Sequence, residues 1–332
     1  MKTISTLLVA GSLVAFSAPA MAQDSGSNFD GFRVQGVAGY DALQAGSSVD
    51  DDGNDNNVQS IDGVVYGVQA GYDIDLGGAG LGDGVALEPT FFFPAYTILP
   101  SKGHLVVWCD DQKESPGLHT GFALDADGQN IALWWPGDEG LKIQDAIGFG
   151  PQADDLSIGR EPDGLGPWTL NPPTPGLANV GSDTGIMRSL VINEWMARPE
   201  DGDDWLELFN NSSLPIPLTG LKLSDDPSQP DKTVMPPLTF IGPNGFLRLT
   251  ADNSPADGPT HLGFRISGSG EEIVLTDTKD KVIDSVLFGE QTRGTSQGRF
   301  PDGSKSIVFF PNSATPGRAN LILGDSDEDG LP

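Results

Sequence analysis

The feature that most constrains the fold of this 332-residue chain is an internal repeat, in which about 85 residues occur twice in the same order. Three pairs of matching blocks define it, each given with its first residue: HTGFALDADGQNIALW (His119) with HLGFRISGSGEEIVLT (His261), IQDAIGFG (Ile143) with VIDSVLFG (Val282), and TPGLAN (Thr174) with TPGRAN (Thr315). Because order and spacing are both preserved, we expect the first copy and the second copy to share one fold.

Apolar and polar residues alternate within the blocks, as in Ile131, Leu133 and Trp135 of the first copy and Ile273 and Leu275 of the second. This alternation predicts strands with one buried face. The sequences PDG and SGSG, which lie between the blocks, favour tight turns with residues at positive φ. The resulting strand spacing, about 8 to 12 residues, is typical of a β-sandwich. We therefore predict an all-β chain with two tandem sandwiches.

Further motifs in the second copy carry a resemblance to a known family. LVINEWMARP and DWLELFN precede the repeated blocks, GRFPDGS follows them, and TPGRAN closes the set. Together they resemble a complete lamin-tail domain over residues 188–320. This immunoglobulin-like module of nuclear lamins also occurs in bacterial exported proteins. The resemblance implies that both tandem sandwiches are immunoglobulin-like and of the lamin-tail type.

The first copy, residues 86–181, has no counterpart of the two opening motifs. The segment before it, residues 23–85, repeats an aromatic and glycine pattern, FDGFRVQGVAGYDAL and GVVYGVQAGYDIDLGG, which predicts a β-hairpin. This segment resembles the start of an opacity-type outer-membrane β-barrel, although two strands cannot close a barrel. Two hypotheses follow: the hairpin supplies the missing opening strands of the first sandwich, or the gene is chimeric.

The N-terminus predicts export. Residues 1–22 combine Lys2, the apolar run LLVAGSLVAFSA and small residues before Gln23, which is the pattern of a secretory signal peptide. The net charge of -29 disfavours binding to nucleic acid and favours cations. No later apolar run is long enough for a membrane helix, so we expect no membrane contact. Cys109 is the only cysteine, which excludes an internal disulfide, and its sequence context predicts a buried strand thiol.

The acidic tail, residues 321–332, has a metal-binding pattern. Asp325, Asp327 and Asp329 lie two residues apart and precede a glycine, a spacing that places oxygen ligands around one Ca²⁺. The tail resembles the start of a calcium-binding repeat of the thrombospondin type 3 kind, with the later ligands missing. We expect weakly bound Ca²⁺ there, against the alternative of a plain acidic tail. The run DDDGNDNN from Asp50 also offers oxygen ligands but is better explained as a solvated hairpin loop.

Two pairs of titratable residues invite a chemical interpretation. Glu194 and Glu207 lie in the opening strands of the second copy, where paired carboxylates suit acid-base chemistry. No His, Ser or Lys lies in a fixed local arrangement with them, so we expect them to keep a sheet edge soluble. His119 and His261 occupy the same place in the two copies. Because zinc needs three or four ligands, we predict that each histidine is a hydrogen-bonded structural residue.

Arginines and tryptophans also recur or cluster. Arg160 and Arg299 stand in GREPDG and GRFPDG, and in so acidic a chain we expect both to pair with carboxylates. Trp195 and Trp205 could contact sugars or peptides. Packing in the core of the sandwich is the favoured prediction for both side chains.

No phosphate-binding loop, serine elbow, paired cysteines or metal-binding helix is visible, which predicts that the chain is not an enzyme. The family resemblance implies an exported, non-catalytic binding, adhesion or spacer module with a protein or glycan partner. The expected location is extracellular or the cell surface, with the periplasm and the outer membrane as alternatives. The alternative functions are an outer-membrane β-barrel protein and an accessory fragment of a surface hydrolase.

Overall fold

The computed structural model describes residues 31–46, 58–84 and 88–322, with side chains from residue 74 onward. Over these ranges the chain is all-β, as predicted, and the helical content is one 3-10 turn at Met187–Ser189. No helix in the same ranges is long and apolar enough to cross a membrane.

The strands of the described ranges are numbered in chain order. Those up to the end of the first copy are β1 (Gly31–Gly46), β2 (Val58–Asp75), β3 (Gly80–Asp83), β4 (Phe91–Phe92), β5 (Ile98–Leu99), β6 (Gln129–Gly137), β7 (Gly140–Phe149), β8 (Ser157–Arg160) and β9 (Trp168–Asn171). Those of the second copy are β10 (Leu190–Met196), β11 (Asp204–Asn210), β12 (Ile216–Pro217), β13 (Lys222–Ser224), β14 (Thr233–Val234), β15 (Phe240–Ile241), β16 (Phe246–Ala251), β17 (Glu271–Thr276), β18 (Val282–Phe288), β19 (Thr295–Arg299) and β20 (Ile307–Pro311).

The chain divides into two compact units, of which the first runs up to Gly78 and includes Phe93–Leu105. In this unit β1 and β2 form the predicted antiparallel hairpin. The end of β2 also pairs with β5, through Ile74 and Leu99. The three strands form one sheet of order β1-β2-β5.

In the other unit, the second copy forms a sandwich of two main sheets, β16-β11-β10-β19-β20 and β14-β13-β17-β18. Their inner faces meet in one hydrophobic core. Ile192, Leu206 and Leu249 of the first sheet and Leu223 and Ile273 of the second are each 0% exposed. Because both sheets bury one face in this way, the second copy has the predicted immunoglobulin-like architecture.

The predicted turns are present in both copies. Gly164 and Gly303 of the two PDG sequences have φ values of 70° and 71°, and Gly270 of SGSG has a φ of 99°. These left-handed conformations are costly for residues with a Cβ, which explains glycine at these positions.

A β-bulge in β10 sets the direction of its side chains. The register with β11 shifts between Ile192 and Glu194, so that Asn193 is an extra residue in the ladder. Ile192 and Trp195 both reach the core as a result. Asn193 and Glu194 instead bond to polar groups near the end of the domain. The bulge therefore separates an apolar face from a polar one within four residues of sequence.

The first copy builds one of these two sheets. β3, β4, β6 and β7 form a sheet of order β4-β3-β6-β7, which matches β14-β13-β17-β18 of the second copy. β3 pairs with β6 along its full length. The compact unit accordingly begins at Ala79. This start differs from the expected division into residues 23–85 and 86–181, because the pairing carries β3 into the sheet of the first copy.

The other sheet of the first copy is reduced to β8 and β9. In the second copy the corresponding strand, β19, pairs with β20 on one side and with β10 on the other. Among the described residues, β8 has β9 as its only ladder partner. The ladders of the hairpin join β1 to β2 and β2 to β5, so they do not place a strand beside β8.

Residues 106–111 show the effect of a missing neighbour. They correspond to the end of β16, which pairs with β11 in the second copy. Without a counterpart of β11 they form only an isolated bridge, between Trp108 and His119. Cys109 is therefore only partly buried and lies outside any strand, so the prediction of a buried strand thiol was wrong.

The two copies contact each other through a short backbone ladder. Gly150 N donates to the Pro237 carbonyl at 3.0 Å, and Phe240 N donates to the Pro151 carbonyl at 2.9 Å. Leu170 of the first copy and Phe240 of the second share a small buried cluster beside these bonds. The first copy thus rests on the completed sandwich of the second.

Candidate functional site

An arginine and aspartate pair recurs in the two copies. Arg299 Nη2 donates to the two carboxylate oxygens of Asp284 at 3.0 and 2.9 Å. Arg160 Nη2 does the same to Asp145 at 3.1 and 3.2 Å. The prediction that both arginines pair with carboxylates is confirmed. Charge-assisted bonds of this kind fix the orientation of both partners.

In the second copy this pair holds the backbone of β10. The N–H of Ile192 donates to Asp284 Oδ2 at 2.8 Å, and Arg299 Nε donates to the carbonyl of Ile192 at 2.8 Å. One residue of the strand is therefore bound through both of its backbone groups. Contacts to the backbone do not depend on the identity of the side chain.

The next two residues of β10 bind through their side chains. Asn193 Nδ2 donates to Asp302 Oδ1 at 2.9 Å. Glu194 accepts from Ser296 Oγ and from both the N–H and the Oγ1 of Thr315, the latter at 3.1 Å. Thr315 belongs to the closing segment, defined here as residues 313–320, which covers the outer face of β10. These contacts require an amide followed by a carboxylate.

Trp195 follows on the opposite face of the strand. Its side chain is 0% exposed, and its ring centroid lies 5.5 Å from that of Phe288. Trp205 on β11 is also buried, with 5% of its surface exposed. The prediction that both tryptophans pack in the sandwich is confirmed. Trp195 is among the largest fully buried side chains, so it fills much of the space between the sheets.

The first copy keeps the groups that bind β10 in the second. By alignment and ladder register, each is followed here by its counterpart: Asp145 (Asp284), Phe149 (Phe288), Ser157 (Ser296), Arg160 (Arg299), Asp163 (Asp302) and Thr174 (Thr315). The internal bond of the closing segment is also kept, since Thr174 Oγ1 donates to Asn179 Oδ1 at 3.1 Å. No described bond of the first copy comes from a strand equivalent to β10.

An open apolar groove lies in the first copy where the core lies in the second. It has a volume of about 500 Å³. Its apolar lining includes Leu124, Ile131, Ile147, Phe149, Ile158 and Trp168. Leu124 is 44% exposed, whereas its counterpart Ile266 in the closed core is 3% exposed. The groove is therefore the space between two sheets of a sandwich that lacks its central strands.

Two buried carboxyl groups correct a prediction from the sequence. Glu194 and Glu207 lie opposite each other on β10 and β11, the inner strands of their sheet, and each is 0% exposed. The expected role at a soluble sheet edge was therefore wrong. Burial raises the pKa of both carboxyl groups, to about 8 for Glu207, although hydrogen bonds oppose the shift. The surrounding chain leaves no path by which a substrate reaches either group.

The two recurring histidines are structural, as predicted. His119 Nδ1 lies 2.6 Å from Asp110 Oδ1, and His261 Nδ1 lies 2.6 Å from Asp252 Oδ2. The bond to Asp110 raises the pKa of His119 and lowers that of Asp110. Each pair fixes the loop that precedes an isolated parallel bridge.

A group of three potential metal ligands includes one of these pairs. Asp257 lies near Asp252 and His261, and their ligand atoms are within 4.8 Å of one another. Three such ligands are the minimum for a zinc site with an open position. The first copy has Ser115 in place of Asp257 and still forms its histidine pair. The pair therefore forms without the third ligand, which supports a structural role.

The calcium ligands predicted from the sequence, Asp325, Asp327 and Asp329, lie outside the described residues. The acidic run from Asp50 lies outside them as well. Weak binding of Ca²⁺ to the tail stays a prediction.

Comparison with known proteins supports the family resemblance for the second copy. Residues 187–290 match the family model of the lamin tail domain. The comparisons with curated proteins and with solved structures gave no match. The matched range contains β10 to β18, and the structure adds β19, β20 and the closing segment to the same sandwich. The chain therefore carries an immunoglobulin-like module of the lamin-tail kind at these residues.

Proposed function

We propose that this chain is an exported, non-catalytic binding, adhesion or spacer module of the cell surface. The open apolar groove of the first copy carries this proposal. Concave apolar sites with a few fixed polar groups are typical of binding surfaces, and the Arg160 and Asp145 pair provides such groups beside the groove. The complete sandwich of the second copy provides a rigid support.

The N-terminal sequence supports export, because residues 1–22 have the charge, apolar run and small residues of a signal peptide. The net charge of -29 favours partners other than nucleic acid. A protein or glycan displayed on a cell surface suits both features.

The burial of the two glutamates supports a non-catalytic role. Acid-base catalysis requires a carboxyl group within hydrogen-bond reach of a substrate. Glu194 is bound to Thr315 and Glu207 to the N–H of Gly317, and both are fully covered. These bonds fasten the closing segment to the sheet, which is a structural task.

Cell fractionation tests the location. With a C-terminal epitope tag in a two-membrane bacterial host, the chain should be cleaved before Gln23. It should then appear in the medium or become accessible to protease on intact cells. A control that lacks residues 2–22 should remain in the cytoplasm. An uncleaved cytoplasmic product of the full sequence would contradict the proposed export.

A second measurement tests binding. The purified mature chain should be retained on envelopes of the cells that produce it, and Ile158→Arg should reduce this retention because it places a charge in the groove. Leu165→Arg is the matched control, since Leu165 is 90% exposed and lies outside the groove. Equal retention of both variants would show that the groove is not the binding surface.

A further inference from the structure

We propose that the groove of the first copy accepts one extended strand from another protein chain, with Asn, Glu and Trp at successive positions, as β10 provides in the second copy. This proposal rests on the binding function above and specifies the chemistry of the partner. Recognition by strand addition combines backbone bonds, which provide affinity, with side-chain pockets, which provide specificity.

The group that binds the backbone is already assembled. Arg160 is joined to Asp145 at 3.1 Å, and its guanidinium lies 4.4 Å from the ring centroid of Trp168, so its orientation is fixed. Its described hydrogen bonds use the two Nη atoms, toward Asp145 and the carbonyl of Gly166. None of them uses Nε, the atom through which Arg299 donates to β10. The pair can therefore bind a strand without rearrangement.

The edge of β8 offers the corresponding strand position. In the second copy Gly298 pairs with Glu194 in the antiparallel ladder of β10 and β19. A Cβ at Gly298 would lie 2.6 Å from the carbonyl oxygen of Asn193, so glycine permits the close approach of β10. Gly159 occupies the same place on β8, where the described residues contain no second ladder partner. An incoming strand would run antiparallel to β8.

The polar pockets specify an amide and a carboxylate. In the second copy Asp302 accepts from Asn193, while Ser296 and Thr315 donate to Glu194. The first copy has the same three residue types in the same places: Asp163, Ser157 and Thr174. Their frame is kept as well, because the N–H of Asn179 donates to Asp163 at 3.0 Å, as the N–H of Asn320 does to Asp302 at 3.1 Å.

The apolar part of the groove specifies an aromatic side chain. Trp195 of β10 packs on Phe288, whose counterpart in the first copy is Phe149. Phe149 and Ile131 line the groove and are only partly buried, whereas Phe288 is 8% exposed. A volume of about 500 Å³ is sufficient for an indole ring and its aliphatic neighbours. Burial of one tryptophan there removes a large apolar area from water.

The strand must come from another chain. The dipeptide Asn-Glu occurs once in this sequence, at Asn193 and Glu194. Both residues are 0% exposed and are bound within the second copy. The occupant is therefore a segment of a different protein with the chemistry of β10.

A synthetic peptide tests this chemistry directly. The probe is a fluorescein-labelled peptide with the sequence of residues 189–197, SLVINEWMA. Titration with the full mature chain should raise its anisotropy in a saturable manner, at one site per chain, because the second copy already holds its own β10. A control peptide with alanine in place of Asn, Glu and Trp should bind at least about tenfold more weakly. Equal binding of the two peptides overturns the proposed specificity.

Three variants locate the site on the protein. Ile158→Arg should weaken binding of the peptide at least about tenfold, and Arg160→Gln should do so by about tenfold through loss of the backbone contact. Leu165→Arg, outside the groove, should bind as the unmodified chain does. Circular dichroism checks that all variants fold. Absence of saturable binding by the unmodified chain, or equal affinity of Ile158→Arg and Leu165→Arg, overturns the proposal.

The two proposals fail in different ways. A chain that is exported and retained on envelopes but does not bind the peptide overturns strand acceptance and leaves the surface function in place. A chain that remains in the cytoplasm and binds the peptide with the expected variant effects overturns the surface function and supports strand acceptance.

Discussion

Glu207 illustrates how the cover over a strand determines the chemistry of a side chain. Its carboxyl group is 0% exposed and accepts bonds from Asn193 Nδ2 at 3.2 Å and from the N–H of Gly317. Burial raises its pKa to about 8, and the nearby carboxylates of Glu194 and Asp302 push in the same direction. At neutral pH the folded chain therefore holds this group mainly in its protonated form.

The raised pKa of Glu207 predicts a pH-dependent stability. Between its ordinary value of 4.5 and the folded value of about 8, the folded state binds a proton that the unfolded state has released. The contribution of Glu207 is therefore greatest below pH 4.5 and declines as the pH rises toward 8. Glu207→Gln removes this titration, so the stability of the variant relative to the unmodified chain should rise by about 1 kcal/mol or more from pH 5 to pH 8.

Urea unfolding at both pH values measures this difference. Replacement of the carboxyl group by an amide also changes the local bonds, but that effect does not depend on pH and cancels in the comparison. Glu139→Gln is the control, because the side chain of Glu139 is 86% exposed. A relative stability of Glu207→Gln that stays constant from pH 5 to pH 8 would contradict the raised pKa.

At the residue scale, the sequence predicted partners better than burial. The pairing of Arg160 and Arg299 with carboxylates follows from recurrence in an acidic chain, and the structure confirms it. The burial of Glu194 could not be predicted from alternation along the strand, because the bulge at Asn193 breaks the two-residue period. The cover also comes from Thr315, 121 positions further along the chain.

At the scale of elements, strand formation depends on the neighbour as much as on the strand itself. β16 pairs with β11 over six residues, whereas its counterpart in the first copy, which has no such neighbour, forms a single bridge. β3 shows the reverse, since four residues rich in glycine become a strand because β6 lies beside them. Residue patterns predicted the hairpin and β10 and β11, but they do not contain the long-range pairing that makes β3 a strand.

The pairing of β3 with β6 predicts different outcomes for two deletions. Removal of residues 23–78 keeps β3, so the amides of β6 should stay protected from hydrogen exchange. Removal of residues 23–84 also takes away β3 and leaves that edge of β6 unpaired. The β6 amides of this second variant should exchange at least about tenfold faster. Mass spectrometry of peptides that cover β6 measures both rates, and equal protection would refute the assigned ladder.

At the scale of the whole molecule, the two copies differ in how completely they bury their apolar residues. The second copy closes its core, and Leu190, Leu208 and Leu275 are each 0% exposed. The first copy leaves Leu124 and Trp108 44% and 53% exposed. Because buried apolar area is the main favourable term in folding, stability should be concentrated in the second copy.

This difference predicts that the second copy folds alone and needs its last strands. A fragment of residues 187–322, about 135 residues, contains both sheets and the closing segment and should unfold in one cooperative thermal step. The matched control, residues 187–290, covers the range of the family match but lacks β19, β20 and Thr315. That fragment loses the ladder partner on one side of β10 and uncovers Glu194, so it should aggregate or melt without a cooperative transition. Differential scanning calorimetry distinguishes the two, and a cooperative transition of equal midpoint in both fragments would show that β19 and β20 do not belong to the folding unit.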